Sequence, residues 1–237
     1  MIDINCDLGE GSGNDDQIMP FISSCSIACG GHIGDRDSIL EALTLAKGNG
    51  VKVGAHPSYP DTEHFGRAMQ DMPLPDLLES INSQIGLFLS CCKKLHMTCH
   101  HLKLHGALYN EASTDAPLAQ HVVNLFKKLL PEAKVYAPWQ SELEAVANRA
   151  GMSVWREAFA DRNYHEDYTL VSRADFNANV AVEHLDEHLH RLLEEGCVKT
   201  VSGVEIPMVV DTLCIHGDGV YALEIARKIS RMISISK

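Results

Sequence analysis

The stretch SIACGGHIGDRDSILEALTLAKGNGVKVGAH, residues 26–56, carries the pattern from which the fold can be predicted. A short strand-like run, Ser26–Ala28, is followed by a helical pattern over Asp37–Lys47 and by a second strand-like run, Val51–Ala55. Apolar residues recur at helical spacing within the helical pattern, and Gly48 and Gly50 end it. A strand, a helix and a strand in that order predict a parallel crossover, because two parallel strands need a long connection.

The same alternation continues along the chain. Strands are predicted at Ile2–Asn5, Ser26–Ala28, Val51–Ala55, His101–Leu104, Val135–Ala137, Val154–Phe159 and Met208–Cys214. Helices are predicted at Asp37–Lys47, Pro75–Leu95, Pro117–Leu130, Gln140–Ala150, Val182–Glu195 and Tyr221–Ile233. Repeated strand–helix units form either an open doubly wound sheet or a closed barrel. Polar residues stand at the end of nearly every strand, which favours an α/β fold built as a seven-stranded parallel β/α barrel of the TIM type, in one domain over residues 1–237.

Composition and charge exclude several classes of partner. The chain of 237 residues has a formal net charge of −12, which would repel nucleic acid and an anionic membrane surface. No apolar run approaches the length of a membrane span, and the start MIDINCDLGEG lacks the basic and apolar regions of a signal peptide. We therefore expect a cytoplasmic protein whose eight cysteines are free thiols, with Cys6 and Cys214 packed in the core rather than acting as nucleophiles.

Four histidines follow predicted strands and lie beside or close to a glycine: His32, His56, His105 and His216. In β/α barrels the C-terminal ends of the strands open into the loops that carry the chemistry. The sequence therefore predicts that one barrel mouth collects these four imidazoles.

Strand alternation adds other polar side chains to the same mouth. Asn5 and Asp7 point to one side of the first strand, and Glu10 follows them. Lys103 shares its parity with His105, and a lysine inside an apolar strand is costly to bury unless an anionic group meets it. The remaining candidates are Ser58, Tyr59 and Arg67 in the loop GAHPSYPDTEHFGR, Glu157, Asp161 and Arg162 in the sixth strand and the residues after it, VWREAFADRNY, and Asp218 after His216.

Two sequence patterns that could bind a metal are better explained by structural roles of their residues. His184 and His188 are spaced i, i+4 but stand among charged residues, so we expect them on a solvated helix face. The CC pair at residues 91–92 and the CHH run at residues 99–101 lack the paired spacing of a zinc site.

Six groups of motifs occur in one order from Asn5 to Asp218: NCDLGEG, ACGGHIGD, GAHPSYPD with FGR, KLHGALYN, EAFADR and HGD. Together they resemble the LamB/YcsF family over nearly the whole chain. The resemblance implies a barrel similar to that of the glycoside hydrolase/deacetylase superfamily. It also implies ATP-dependent opening of the 5-oxo-L-proline (pyroglutamate) lactam to L-glutamate by a 5-oxoprolinase, in which this chain acts with the B and C subunits. ATP, together with Mg²⁺, would then be a co-substrate, and no tightly bound metal is expected.

The chain departs from the family pattern at four places. Gly31 stands where the family has Phe, Leu104 stands where it has Pro, Ala68 replaces the second arginine after Arg67, and Gly219-Val220 follow HGD. The lost arginine reduces the loop contacts that are expected for a substrate phosphate or carboxylate.

Lactam opening coupled to ATP requires cationic groups for phosphate, an acid or base for the ring nitrogen and a positioned water. Catalytic roles are expected for Asp7, His56, Lys103, His105, Asp161 and His216. Binding roles for substrate or nucleotide are expected for Asn5, Glu10, His32, Ser58, Tyr59, Arg67, Asn110, Glu157, Arg162 and Asp218. The chain has no Walker loop, so partner subunits are expected to complete the nucleotide site. Alanine at Lys103 or His105 is expected to abolish turnover with little change in stability.

Two other functions remain open at this point. One is a metal-dependent hydrolase of N-acetyl groups, with Asp7, His32 and His56 as the ligands, which metal measurement on the purified protein would distinguish. The other is a non-catalytic subunit that only holds substrate for its partners. Substitution of His105 would leave the chemistry unchanged in that case.

Overall fold

Seven parallel strands form a closed barrel in the part of the chain that the computed structural model describes, residues 2–219 and 221–235. The barrel strands are β1 (Asp3–Leu8), β2 (Ser24–Ala28), β3 (Lys52–His56), β4 (Cys99–Leu102), β5 (Lys134–Pro138), β6 (Val154–Phe159) and β9 (Thr212–His216). They follow one another around the barrel in that order, and β9 closes the ring by pairing with both β6 and β1. The predicted parallel barrel is confirmed, and the open sheet is excluded.

Helices connect successive strands around the outside of the barrel. They are α1 (Asp15–Ile18), α2 (Arg36–Asn49), α3 (Leu74–Leu95), α4 (Gly106–Thr114), α5 (Ala116–Leu129), α6 (Glu142–Arg149), α7 (Leu185–His190) and α8 (Ala222–Ile235). The helix α2 shows why these segments fold as they do. Asp35 accepts hydrogen bonds from the backbone of Asp37 and Ser38 at its start, and Gly50 ends it in the left-handed region at φ 69°. Apolar side chains between these ends, including Ile39 and Leu43, pack into the core.

Most strand boundaries differ from the predicted ones by one to four residues, and the two largest differences concern the first and last strands. The first strand continues to Leu8 rather than ending at Asn5, because residues 6–8 still pair with β2 and β9. The last strand begins at Thr212 rather than Met208, since Asp211 is held at the barrel edge by the side chain of Arg156. The longer β1 thereby reaches the mouth with Asp7, which lies opposite His216 at the end of β9. Val220, which belongs to the Gly219-Val220 pair that differs from the family pattern, lies outside the described residues.

A long excursion separates β6 from β9. The predicted helix Val182–Glu195 is divided into a 3₁₀ turn at Val182–His184, the helix α7 and a π-helical turn at Arg191–Glu195. An antiparallel hairpin of β7 (Cys197–Lys199) and β8 (Glu205–Pro207) follows outside the barrel. The expectation of a solvated face is wrong for His188, which is buried and lies 3.1 Å from the Phe159 carbonyl through Nε2. The reason is that this end of α7 packs against the end of β6.

The eight cysteines all carry free thiols. Six of them are buried, including Cys6 and Cys214. His101 of the CHH run is also buried and stacks on Tyr136 with ring centroids 4.0 Å apart. These residues therefore take part in core packing.

Candidate active site at the barrel mouth

A cavity of about 710 Å³ opens at the C-terminal ends of the strands. Many of the predicted site residues line it: Asp7, His56, Arg67, Lys103, His105, Asn110, Glu157, Arg162 and His216. Four further predicted residues lie next to these: Asn5 bonds to Glu157, Asp161 bonds to His216, and Glu10 and His32 bond to each other beside His105. The structure thus brings the predicted strand-end residues together at one mouth.

Lys103 lies on the floor of the cavity and is surrounded by acceptors. Its Nζ atom is 2.8 Å from Asp7 Oδ1, 2.9 Å from Glu157 Oε1 and 3.1 Å from Cys214 Sγ. Burial opposes the charge of the ammonium, but Asp7, Cys214 and Glu157 together hold the pKa of Lys103 well above its usual value. Lys103 is therefore a fixed positive charge whose hydrogen bonds are already used within the protein.

Glu157 is held through both of its carboxylate oxygens. Asn5 Nδ2 donates to Oε1 over 2.9 Å, and the hydroxyl of Tyr109 donates to Oε2 over 2.7 Å. Tyr109 is one turn along α4 from His105, and burial together with Glu157 raises its pKa well above the usual value. It lines the cavity although the sequence pattern did not single it out.

His56 and His105 face each other at the cavity wall. His56 Nδ1 donates to the Lys103 carbonyl over 2.9 Å, and His105 Nε2 donates to the Phe65 carbonyl over 2.9 Å. The two remaining nitrogens, His56 Nε2 and His105 Nδ1, are 3.0 Å apart. Burial, with His56 and His32 nearby, holds the pKa of His105 well below its usual value.

The backbone of Phe65 and Gly66 lies in the left-handed region at the positions that hold His105. The φ angles are 57° at Phe65 and 64° at Gly66. The Phe65 carbonyl accepts from His105, and the Gly66 carbonyl accepts from the Ala107 amide over 2.9 Å. A side chain on Gly106 would meet that same Gly66 oxygen at 2.3 Å, so the close approach of the two loops requires glycine there.

Behind this pair, His32 connects Glu10 to Ser58. His32 Nε2 is 2.9 Å from Glu10 Oε1, and its Nδ1 is 3.0 Å from Ser58 Oγ, which itself donates to the Tyr59 carbonyl. The His32 ring stacks on His105 at a centroid distance of 3.7 Å. Burial and Asp7 raise the pKa of Glu10 to about 7, and burial lowers that of His32 to about 4.

His216 forms a dyad with Asp161 on the opposite side of the cavity. His216 Nδ1 is 3.0 Å from both carboxylate oxygens of Asp161, and its ring lies nearly parallel to Phe159. Burial opposes ionisation of Asp161, but His216 and Arg162 hold the pKa of its carboxyl below the usual value. This arrangement leaves His216 Nε2 as the free ring nitrogen in a side chain that lines the cavity.

The arginines have different surroundings. Arg67 pairs with Asp218 on the rim, with 2.6 Å between Nη2 and Oδ2. Arg162 is buried and donates to the carbonyls of Val171 and Ala178, so it fastens the loop after β6. Burial and the neighbouring Arg173 lower the pKa of Arg162 to about 10.

Some predicted binding residues are held away from the cavity. The Tyr59 hydroxyl donates to Glu111 over 2.6 Å, and Ser58 contacts only protein groups in a fully buried position. Conversely, Trp139 and Arg173 line the cavity and were missed. Trp139 Nε1 is buried and has no hydrogen-bond partner among the described residues. Its only signal in the sequence is a tryptophan just after a strand.

The sequence of this chain is similar to those of known proteins. The model of the LamB/YcsF family matches residues 2–236. A protein of Histophilus somni, named as the A subunit of 5-oxoprolinase, is 38% identical over 97% of this chain and 94% of its own length. A protein of the same name from Clostridium beijerinckii is 38% identical over 96% of this chain and 92% of its own length.

A solved protein structure is also similar to this chain. The lactam utilization protein of Thermus thermophilus superposes with a TM-score of 0.90 at 34% identity, over 99% of this chain and 96% of that protein. Among the described helices, none combines the length and the apolar character that a membrane span requires.

Proposed function

The chain belongs to the LamB/YcsF family, and from that membership we propose that it is the lactam-binding, catalytic subunit of an ATP-dependent 5-oxoprolinase. The reaction opens 5-oxo-L-proline to L-glutamate together with partner B and C subunits in the cytoplasm. The observation that carries the proposal is one cavity in which a fixed ammonium, a histidine pair and a His–Asp dyad converge. Relatives named as 5-oxoprolinase subunits and a lactam utilization protein support it.

The chemistry explains why ATP is required. A five-membered lactam is resonance-stabilised, so transfer of the γ-phosphoryl group to its oxygen first makes the ring carbon electrophilic and releases ADP. Water then adds to that carbon, and the ring C–N bond breaks as the nitrogen takes up a proton. The resulting acyl phosphate is hydrolysed by a second water to glutamate and phosphate.

The residues of this chain fit the proton transfers in that sequence. His216 Nδ1–H donates to Asp161, which leaves the Nε2 lone pair available to take a proton from the attacking water. The protonated His216 would then give this proton to the ring nitrogen as the C–N bond breaks, and the His56–His105 pair lines the same cavity. Lys103 supplies a fixed positive charge beneath both.

The cavity is larger than a small lactam needs, since volumes of this size hold drug-sized ligands. Its outer part is lined by Arg67, Trp139 and Arg173. We assign this part to the phosphates of Mg–ATP and to the partner subunits, because the chain has no Walker loop of its own. The partners would complete the phosphate site and exclude water.

A coupled assay for glutamate and ADP tests the proposal. We expect the isolated chain to be nearly inert, the complete set of subunits to turn over with ATP, and His216→Ala to reduce that turnover at least 100-fold. His121→Ala, at an exposed position of α5, is the matched control. Efficient ATP-dependent turnover by the isolated chain would refute the shared site. Full activity of both His216→Ala and His105→Ala would indicate a non-catalytic subunit, and ATP-independent, Zn²⁺-dependent deacetylation would indicate the hydrolase alternative.

A further inference from the structure

Hydrogen-bond acceptors converge beside the cavity without a donor between them. His56 Nε2, His105 Nδ1 and Glu10 Oε1 all lie within 4.8 Å of one another. The two nitrogens are 3.0 Å apart, and Glu10 Oε1 is 3.5 Å from His105 Nδ1 and 3.9 Å from His56 Nε2. Asp7 Oδ2 adds a further oxygen 3.4 Å from His56 Nε2.

The outer hydrogen bonds of both histidines determine which nitrogens are acceptors. His56 uses Nδ1–H for the Lys103 carbonyl, and His105 uses Nε2–H for the Phe65 carbonyl. The facing nitrogens of the neutral rings are therefore both lone pairs, which repel each other at 3.0 Å unless a positive species lies between them. Histidines that bind a metal show this same pattern, with the outer N–H donated to a carbonyl or carboxylate.

The charges of the buried side chains around this cluster also require an additional positive species. The carboxylates of Asp7, Glu10 and Glu157 are buried, and Lys103 is the ammonium that faces Asp7 and Glu157. With neutral imidazoles, Asp7, Glu157 and Lys103 leave an excess of one negative charge, and ionisation of Glu10 raises this excess to two. A divalent cation would neutralise that excess, and buried charges are stable only when they are compensated.

From these contacts we infer that Glu10, His56 and His105 bind one divalent transition-metal ion, with Asp7 Oδ2 next to it. Two imidazoles and a carboxylate favour Zn²⁺, Co²⁺ or Mn²⁺, whereas Mg²⁺ prefers oxygen ligands and water. This site departs from the expected absence of a tightly bound metal. It also differs from the ligand set Asp7, His32 and His56, because His32 uses both ring nitrogens for Glu10 and Ser58. His32 is thus a residue that orients Glu10.

A second acceptor cluster in the described residues does not suit a cation. Asp7, Cys214 and His216 also lie within 4.8 Å of one another. The ammonium of Lys103 already contacts Asp7 and Cys214, and His216 Nδ1 is bonded to Asp161. The inferred metal is therefore placed on the Glu10 side.

Metal binding by the purified chain tests the inference without lactam, ATP or partner subunits. After dialysis against a chelator, Zn²⁺, Co²⁺ and Mg²⁺ are added back separately. Stoichiometry is measured by elemental analysis, affinity by calorimetry, and the Co²⁺ site by its visible absorption. We expect one equivalent of Zn²⁺ or Co²⁺, and far weaker binding of Mg²⁺. Glu10→Gln and His105→Gln should each lower the affinity more than about ten-fold and alter the Co²⁺ spectrum. His121→Gln on α5 is the matched control.

The outcomes separate this inference from the proposed function. A folded wild-type chain that binds neither Zn²⁺ nor Co²⁺ at one equivalent would overturn it, and a proton shared by His56 and His105 would then explain their contact. Unchanged affinity in both variants, checked for folding by circular dichroism, would also overturn it, as would equal affinity for Mg²⁺. Loss of the 5-oxoprolinase activity alone has no bearing on these measurements.

Discussion

The buried charge of Lys103 contributes both to the candidate site and to the stability of the fold. It is 2% exposed, and its ammonium compensates two buried carboxylates, Asp7 and Glu157. Lys103→Met would leave both carboxylates without a counter-charge, so we expect the free energy of unfolding to fall by about 3–5 kcal/mol. Urea denaturation measures this change. From the sequence alone we expect little change in stability for Lys103→Ala. The buried ion pairs replace that expectation with a large loss of stability.

A matched substitution keeps that prediction specific to the buried charge. Lys128→Met, at an exposed position near the end of α5, should change stability by less than about 0.5 kcal/mol. Equal effects of the two substitutions would show that the ammonium of Lys103 does not stabilise the fold.

Gly31 explains one departure from the family pattern. A side chain there would begin 2.3 Å from Ser58 Oγ and 2.4 Å from Gln84 Oε1. Gln84 is buried and bonds to both the amide and the carbonyl of Ser58, so it occupies the space that a larger residue 31 would need. In this chain Gly31 and Gln84 therefore form a matched pair.

We expect Gly31→Ala to destabilise the protein by about 1–3 kcal/mol, because the buried Ser58 and Gln84 must shift. Gly48→Ala is the contrasting variant. A Cβ atom on Gly48, within α2, would meet nothing within 4 Å, so alanine should stabilise the protein by about 0.5–1 kcal/mol. Thermal unfolding of both variants gives the two signs, and destabilisation of similar size in both would contradict this account.

The sequence predicts site residues that follow from a local pattern better than those that depend on a distant contact. Parity along one strand is local, and it was enough to place Lys103 at the mouth. Tyr109 was missed because its partner, Glu157, is 48 residues away and is reached only after α4 packs on the barrel. Nothing in the local pattern carries that information.

At the scale of elements, an ion pair reinforces the backbone pairing between β6 and β9. Arg156 donates to Asp211 through Nε over 2.5 Å and through Nη2 over 2.8 Å, and its backbone amide donates over 2.9 Å. Burial opposes ionisation, but these bonds hold the pKa of the Asp211 carboxyl below its usual value. A lowered pKa in the folded state stabilises the protein above the unfolded pKa, near about 4, and this stabilisation is lost as the pH falls through the folded value.

We therefore expect the stability advantage of the wild type over Asp211→Asn to shrink by about 1 kcal/mol between pH 6 and pH 3. Urea denaturation at the two pH values measures it. Asp71→Asn, at an exposed loop position, should show a difference that does not depend on pH to this extent. An advantage that stays constant over the range would mean that the Asp211 carboxylate does not stabilise the pairing between β6 and β9.

Element boundaries were predicted less well than the elements themselves. Apolar runs predicted all the barrel strands because each is buried, but the first strand was predicted to end at Asn5, three residues before β1 ends at Leu8. The nine-residue helix α4 was missed because it begins at Gly106, inside a motif read as a strand end. The helix after residue 182 is broken because its residues pack against β6, which periodicity alone does not reveal.

At the scale of the molecule, thiol reactivity tests how tightly the barrel is packed. Only Cys99 and Cys197 of the eight cysteines are partly exposed. Burial raises the pKa of Cys99 to about 11, and burial with Glu195 raises that of Cys197. Since the thiolate is the reactive form, we expect a disulfide reagent at pH 8 to label at most these two thiols in the native protein and all eight in denaturant. Rapid labelling of a third thiol in the native state would contradict the packing.

The pairing of β1 with β9 has a consequence for how the protein is made. The first strand of the barrel and the strand that closes the ring are far apart in the sequence, since Asp3 and Thr212 are separated by 209 positions, so β1 is synthesised well before β9. Until then β1 and β6 are open edges that invite pairing with other chains. Thr212, Cys214 and His216 also arrive with that last strand, so Asn5 and Lys103 gain their remaining partners only at closure. A chain cut short before β9 therefore has neither a sealed barrel nor a complete site.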